Sequence, residues 1–433
     1  MFIANQKAFA WASGLVRIVL MLFLEGVVLK DKIMLVAGVG SGKLVPIIFG
    51  FYLARQFDGD ALVYFVLVLT YGAALSALSN MGSAPRIIRS GVHGDPDGFV
   101  FEVVGVSFLI AGLTLLLSTI YWFFVADGPF INVGGMPFLS QIWVALYSLG
   151  LVMFTLAQSI FNVKGDYRVT GVYALILHVL AGMAGIIAGE LGDVGLAVSC
   201  YFIAYFLGSL IFFAASRRRL VRSSGSITAW HSIARLWSGV RGAISASLFG
   251  VITLAGLYLF VHSVQRELST ADAATFALGL QLFQAGVFLP SVLGGVVVPR
   301  MVAAGRFGKD DPEALHRSTR ALYFGIGLGW LFVSLFLARP LLSLYDLDSA
   351  GAAGLVLIQV AAALAGLQAY FVQRLVAVGR FNLLAVASLV WAFAGYVALL
   401  LVPPSLFGAA SALVVAYVVC LLFYLVCSPE PRL

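Results

Sequence analysis

The sequence predicts an all-α integral membrane protein of twelve transmembrane helices arranged in two six-helix lobes. Three observations carry that prediction. The chain of 433 residues is 62% hydrophobic and only 10% charged, with a mean hydropathy of +1.04, whereas soluble domains are about 45–50% apolar and about 25% charged. Its apolar residues fall into twelve runs of spanning length whose flanking basic residues alternate from one side to the other. A set of turn residues also recurs in the second half of the chain. Backbone polar groups have no water partner in hydrocarbon, so runs of this length and purity fold as helices.

Residues 1–32 come first and fit the pattern least. Ala12 to Leu29 is apolar but carries Arg17 and Glu25, and only Lys30-Asp31-Lys32 separates it from the first span. An amphipathic helix lying on the inner face suits it better than a thirteenth span, and no small-residue cleavage site marks it as a signal peptide. The amino-terminal lobe occupies 33–215, with spans at 33–54, 61–82, 100–125, 139–162, 169–189 and 194–215. A basic linker, 216–239, joins it to the carboxy-terminal lobe at 240–427, whose spans are 240–263, 272–298, 318–340, 352–373, 381–402 and 405–427. A short tail, 428–433, ends the chain.

Eighteen lysines and arginines flank the spans on one side, among them Arg86, Arg168, Arg217, Arg241, Arg300 and Arg380. The other side has only Arg55, Arg266 and Arg339, beside acids such as Asp58, Asp193 and Asp272. The positive-inside rule makes the first side cytoplasmic, so both ends of the twelve-span unit are expected there. In such a chain the net charge of +7 is a topology signal, and no nucleic-acid partner is expected.

The second span opens at Asp60-Ala61-Leu62 and the eighth at Asp272-Ala273-Ala274; they close on Pro85-Arg86 and Pro299-Arg300. The fourth exits through Gly165-Asp166-Tyr167-Arg168 and the tenth through Gly379-Arg380-Phe381-Asn382. These landmarks lie 212 to 214 residues apart. Six spans is an even number, so the lobes share one orientation, as parallel repeats with a pathway between them.

One residue stands out energetically. Lys43 lies about ten residues from either end of the first span, which at about 1.5 Å per residue is roughly 15 Å from each interface, beyond the reach of snorkelling. A cation there costs about 2.5–3.5 kcal/mol unless something compensates it. No mid-span carboxylate does so, since Glu102 and Asp166 fall near inner ends. Lys43 is therefore the leading candidate for binding an anionic substrate. Arg241 and Arg374, at the inner ends of the seventh and tenth spans, are candidates for steering that anion inward. Gln281 and Gln284 are candidates for sugar contact, and Gln158, Asn162, His178, Gln359, Gln368 and Gln373 are read as interhelical hydrogen-bonding groups.

The run Gly38-Val39-Gly40-Ser41-Gly42-Lys43-Leu44 imitates a phosphate-binding loop but has alanine at 37 and leucine at 44 where glycine and serine or threonine are needed. Cys200, Cys420 and Cys427 and the five histidines form no metal-ligand spacing, and no cofactor is expected. Proton or sodium coupling stays open.

Leu53-Ala54-Arg55-Gln56-Phe57-Asp58-Gly59-Asp60 at the first turn, Asn80-Met81-Gly82-Ser83-Ala84-Pro85-Arg86 closing the second span, and the small and apolar run Leu289 to Met301 resemble one family. It is the polysaccharide transporter (Wzx-type flippase) branch of the multidrug/oligosaccharidyl-lipid/polysaccharide exporter superfamily. The resemblance covers about 33–427 and implies a MATE-like fold. It also implies a flippase for undecaprenyl-pyrophosphate-linked oligosaccharide, an O-antigen or exopolysaccharide repeat unit, in the bacterial inner membrane. Its implied partners are that lipid-linked substrate, membrane lipid, and a glycan polymerase and glycosyltransferases of the same pathway. The related lipid II flippases carry an arginine where alignment places Lys43, and further arginines where this chain has Phe49 and the apolar residues around Leu280. Those departures weaken the lipid II alternative. A cation-coupled multidrug exporter would use a mid-depth carboxylate, and an integral glycan polymerase or ligase a large outer catalytic loop. The chain has neither.

Overall fold

The computed structural model describes residues 28–80, 87, 97–125, 137–223, 233–307, 312–345 and 347–427. Among them every regular element is helical. In order these are α1 (Val28–Gln56), α2 (Gly59–Asn80), α3 (Asp97–Val125), α4 (Pro137–Val163), α5 (Tyr167–Leu191), α6 (Val194–Ser223), α7 (Ile233–Glu267), α8 (Thr270–Gly286), α9 (Phe288–Phe307), α10 (Pro312–Leu344), α11 (Ala352–Val378), α12 (Phe381–Leu401) and α13 (Leu406–Cys427), with a 3₁₀ turn, Ser349–Gly351, before α11. Ten stretches are long and apolar enough to span a bilayer, and Val103–Thr119 in α3 and Leu248–Val264 in α7 are shorter apolar stretches. The chain is a multi-pass membrane protein, and the described residues place these ten stretches and the two shorter ones where the twelve spans are expected.

Three details differ from the expected boundaries. The eighth span, 272–298, is not continuous: α8 ends at Gly286 and α9 begins at Phe288. Pro290 explains the break, because it has no N–H to donate to the Gly286 carbonyl and its ring crowds that oxygen. Just past the break, the Pro290 carbonyl accepts from Tyr323 Oη at 3.1 Å and Gln373 Nε2 at 2.9 Å. The basic linker is shorter than 216–239, because α6 continues to Ser223 and α7 already begins at Ile233. Residues 28–32 belong to the first helix, while the amphipathic helix expected over the rest of 1–32 and the tail 428–433 lie outside the described residues.

Helix pairing repeats from one half to the other. In the first half α1 packs on α5, α5 on α6, α4 on α6 and α2 on α4; in the second, α7 packs on α12, α12 on α13, α11 on α13 and α8 on α11. The turn landmarks are matched at the level of single hydrogen bonds. Gly165 and Gly379 both have φ of 76°, which glycine adopts without the Cβ penalty. In each case the next residue closes the helix end, Asp166 N to Phe161 O and Arg380 N to Leu375 O, both 2.9 Å, the 6→1 bond of a Schellman cap. Side-chain caps recur as well: Asp58 Oδ1 takes the Ala61 N–H and Ser269 Oγ the Asp272 N–H. Asp193 Oδ1 and Ser405 Oγ likewise cap α6 and α13.

Between lipid-soluble helices, packing rather than water exclusion supplies the attraction, so small residues at contacts matter. The closest helix approach runs along α1 and α5, where a Cβ on either Gly38 or Gly171 would collide with the partner's backbone. Further along, Phe49 is fully buried and stacks on Tyr201, with centroids 4.8 Å apart and planes 10° from parallel. Gly171→Leu is expected to destabilise the fold by about 1–3 kcal/mol through overpacking, read as a lower midpoint in detergent-solubilised denaturation; an unchanged midpoint would mean that α1 and α5 are not held in this contact.

Candidate functional site

The site is built on α1. Pro46 cannot donate to the carbonyl one turn back, so the Gly42 carbonyl loses its usual intrahelical donor beside Lys43. Lys43 is half-buried and its ammonium reaches across to the other lobe, donating to Gln284 Oε1 on α8 at 3.1 Å. Gln281 lies one turn before Gln284, and the i, i+3 spacing puts both amides on one face of α8. Its Nε2 donates to the Pro46 carbonyl at 3.4 Å, while its Oε1 is buried without a partner among the described residues. Two glutamines of the second lobe are thus aimed at one turn of the first helix.

Lys43, Gln281 and Gln284 line a cavity of about 250 Å³ together with Thr70 and Ser76 of α2, Tyr147 of α4 and Leu254 of α7. Its walls come from both lobes. Among the described residues that line it, Lys43 is the one charged side chain, and none is a carboxylate. A larger cavity of about 490 Å³ opens within the second lobe and shares Leu254, Leu257 and Gln284 with the first. Toward the α1–α2 turn the lobes close on apolar residues, Leu62, Val63 and Val66 of α2 against Ala273, Ala277 and Leu278 of α8. There Tyr345 Oη donates to the Ile47 carbonyl at 2.9 Å and its ring meets Phe51 edge-on at 5.1 Å.

Of the five candidate site residues, the structure brings Lys43, Gln281 and Gln284 together. Arg374 is buried, 6% exposed, and lines neither cavity; its place in α11 does not join it to that group. Arg241 lies on α7, with its side chain outside the described residues. Of the other intramembrane polar groups, Gln359, Gln373 and Asn162 bond between helices as expected: Gln359 Nε2 to Gly279 O at 3.0 Å, Gln373 to Pro290, and Thr170 Oγ1 to Asn162 Oδ1 at 3.2 Å. The glycine run before Lys43 is helical, and its glycines receive neighbours: Phe288 crosses Gly40, and the His178 ring covers Gly42. His178 is buried, its Nδ1 3.1 Å from Ser41 Oγ, and Phe154 meets it edge-on. It is a packed histidine immediately behind the cation's helix turn.

Sequence reading had no signal for Tyr147 or for the second-lobe cavity with Trp391 and Tyr417, because aromatic residues are common throughout the chain. Gln368 and Gln373 were legible only as interhelical polar groups.

No family model and no curated protein matches the chain. Solved structures do. A point mutant of the Vibrio cholerae MATE transporter VcmN superposes with a TM-score of 0.68 at 16% identity, over 98% of this chain and 99% of that one. The fold is that of the MATE transporters. A MOP superfamily transporter from Pyrococcus furiosus gives a TM-score of 0.69 at 15% identity over 92% and 94% of the two chains. A MATE structure in complex with MaL6 gives 0.68 at 16% identity over 91% and 93%. The MATE-like fold expected from the sequence is therefore present over nearly the whole chain, with Lys43 where the first helix faces the interlobe cavity.

The Lys43–Gln284 bond joins the halves of this MATE-like fold, and hydrogen bonds to charged groups contribute about 1.5–3 kcal/mol. Gln284→Leu should lower the denaturation midpoint of the purified protein, and Lys43→Met combined with it should recover much of the loss. Additive losses in that double-mutant cycle would mean that the two side chains are not coupled.

Proposed function

We propose that the protein is a transporter that flips undecaprenyl-pyrophosphate-linked oligosaccharide, an O-antigen or exopolysaccharide repeat unit, across the bacterial inner membrane. One observation carries the reading. A lysine ammonium lines an interlobe cavity deep in the bundle, where its acceptor is an uncharged amide and no carboxylate lines the wall among the described residues. An amide offsets part of the cost of that cation, and an anionic ligand would offset the rest. A pyrophosphate attached to a lipid carrier would supply such an anion as its head group crosses the middle of the bilayer, the depth at which Lys43 sits.

In this reading Lys43 binds the pyrophosphate, displacing or sharing Gln284. Gln281, beside Gln284 on the same face of α8, is placed to contact the glycan as it passes. The polar walls at Thr70, Ser76 and Tyr147 replace the water that the head group leaves behind. Alternating access then follows from parting the apolar contacts around Tyr345 and Ile47 at the α1–α2 end, which the charge asymmetry of the loops assigns to the outer side. The ends of the twelve-span unit are then cytoplasmic. Arg241 keeps a steering role at the inner mouth, whereas the burial of Arg374 favours a role in holding the end of α11. A polymerase and glycosyltransferases of the same pathway would supply and consume the substrate.

The Pyrococcus furiosus protein is described as having a binding pocket of reversed polarity that suggests a different function, which supports the view that this fold accommodates pockets of either sign. The cavity charge here favours an anion over the cationic ligands of a drug exporter. In cells, Lys43→Ala is expected to abolish surface glycan at normal protein level, and Lys43→Arg to retain most of it. Normal glycan display by the alanine variant would overturn the proposal.

A further inference from the structure

The second-lobe cavity is unassigned by the role given to Lys43. It is about 490 Å³, within the range of small-molecule sites, and it has their usual lining of apolar and aromatic side chains with a few placed polar groups. None of the described residues that line it is charged. Its polar groups include Thr253 of α7, Gln284 at the boundary with the Lys43 cavity, Gln368 and Gln373 of α11, Ser388 of α12 and Tyr417 of α13.

Trp391 lines this cavity. Its side chain is 4% exposed, yet its indole Nε1 has no hydrogen-bond acceptor among the described residues. A buried indole N–H normally finds a partner, and leaving it bare costs free energy. The six-membered edge of the ring faces Gly256 of α7, where a Cβ would come within 3.0 Å of Cζ3. The Tyr417 ring lies 5.7 Å away, tilted by 59°. Gln368 Nε2 is held on the Tyr417 carbonyl, which fixes the amide against the same wall.

We infer that this cavity is a sugar subsite: it holds the neutral sugar nearest the pyrophosphate while Lys43 holds the anion. The inference rests on the flippase reading. Four features select a sugar from other occupants. With no charge among the described lining residues, neither a cation nor a second anion gains by entering. An occupant of hydrocarbon alone would pack against the amides and hydroxyls of the wall, such as Thr253, Gln284 and Gln368, without answering them, whereas sugar hydroxyls hydrogen-bond to them. The C–H faces of a sugar pack on indole and phenol rings. Finally, Gln284 lines both cavities, so a ligand held by Lys43 need only extend past that amide to enter.

The test uses the full chain in phospholipid nanodiscs and four probes. These are farnesyl pyrophosphate, and farnesyl pyrophosphate bearing one glucose, one galactose or one N-acetylglucosamine. At least one sugar-bearing probe is expected to bind about tenfold more tightly than the sugar-free one. Trp391→Leu and Gln368→Leu should each remove most of that gain while leaving the affinity for farnesyl pyrophosphate unchanged. Lys43→Ala should weaken every probe. The subsite is overturned, with the anion reading intact, if no sugar improves binding or if the two cavity variants weaken the sugar-free probe equally, which would assign the cavity to the lipid chain. If farnesyl pyrophosphate fails to bind, or binds regardless of Lys43→Ala, the flippase reading falls and the subsite falls with it.

Discussion

An ammonium group held far from water must be compensated by whatever surrounds it, and the arrangement around Lys43 follows from that requirement. Snorkelling is out of reach from the middle of α1, so partners must come from other helices. Its acceptor, Gln284, is 241 residues away in sequence, on the opposite lobe. The neighbouring Gln281 reaches back to the Pro46 carbonyl of the same helix turn. The break between α8 and α9 follows Gln284 by a few residues, and the Pro290 carbonyl just past it is held by Tyr323 and Gln373. One unfavourable charge thus ties α1 to α8 across the lobes. An amide satisfies the geometry of the ammonium but does not neutralise it, which leaves a site disposed toward an anion.

The scaffold that holds this charge is a duplicated one. Gly165 and Gly379 close α4 and α11 with the same dihedral angle and the same backbone bond, and the capping residues of α2 and α8 and of α6 and α13 correspond. Duplication places two similar bundles face to face, but the residues lining the space between them differ. The first lobe contributes a cation, and the second contributes uncharged amides and aromatic rings. That asymmetry suits a substrate with an anionic end and a neutral polar end.

Much of the fold was legible in the sequence, because membrane spans are written in composition and length, and turns in a few residues with fixed backbone demands. Gly165 and Gly379 were readable as punctuation, since an αL cap leaves little alternative to glycine. Lys43 was readable because a single charge in an apolar run has a calculable cost. The break at Val287 was in principle readable from Pro290 and was missed, because a proline in a membrane helix need not interrupt it, as Pro46 in α1 demonstrates. The pairing of Lys43 with Gln284 was not legible at all. Both residues were singled out, but which faces of α1 and α8 meet is decided by packing across the lobes. The burial of Arg374 was hidden for the same reason: position near a span end gives depth in the membrane and says nothing about what lies beside it. Trp391 carries no signal in the sequence, because its isolation from any acceptor among the described residues is a property of the packed bundle.

The central claim, that the interlobe cation serves an anionic lipid-linked substrate, is tested most directly in proteoliposomes. The measurement is the rate at which a fluorescent, pyrophosphate-linked glycolipid crosses the bilayer, compared with uptake of a permeant cationic dye, for the native chain and for Lys43→Ala. The account predicts flipping of the anionic glycolipid by the native protein, its loss in the alanine variant, and no cation transport by either. Transport of the cationic dye, with glycolipid flipping absent or indifferent to residue 43, would contradict it.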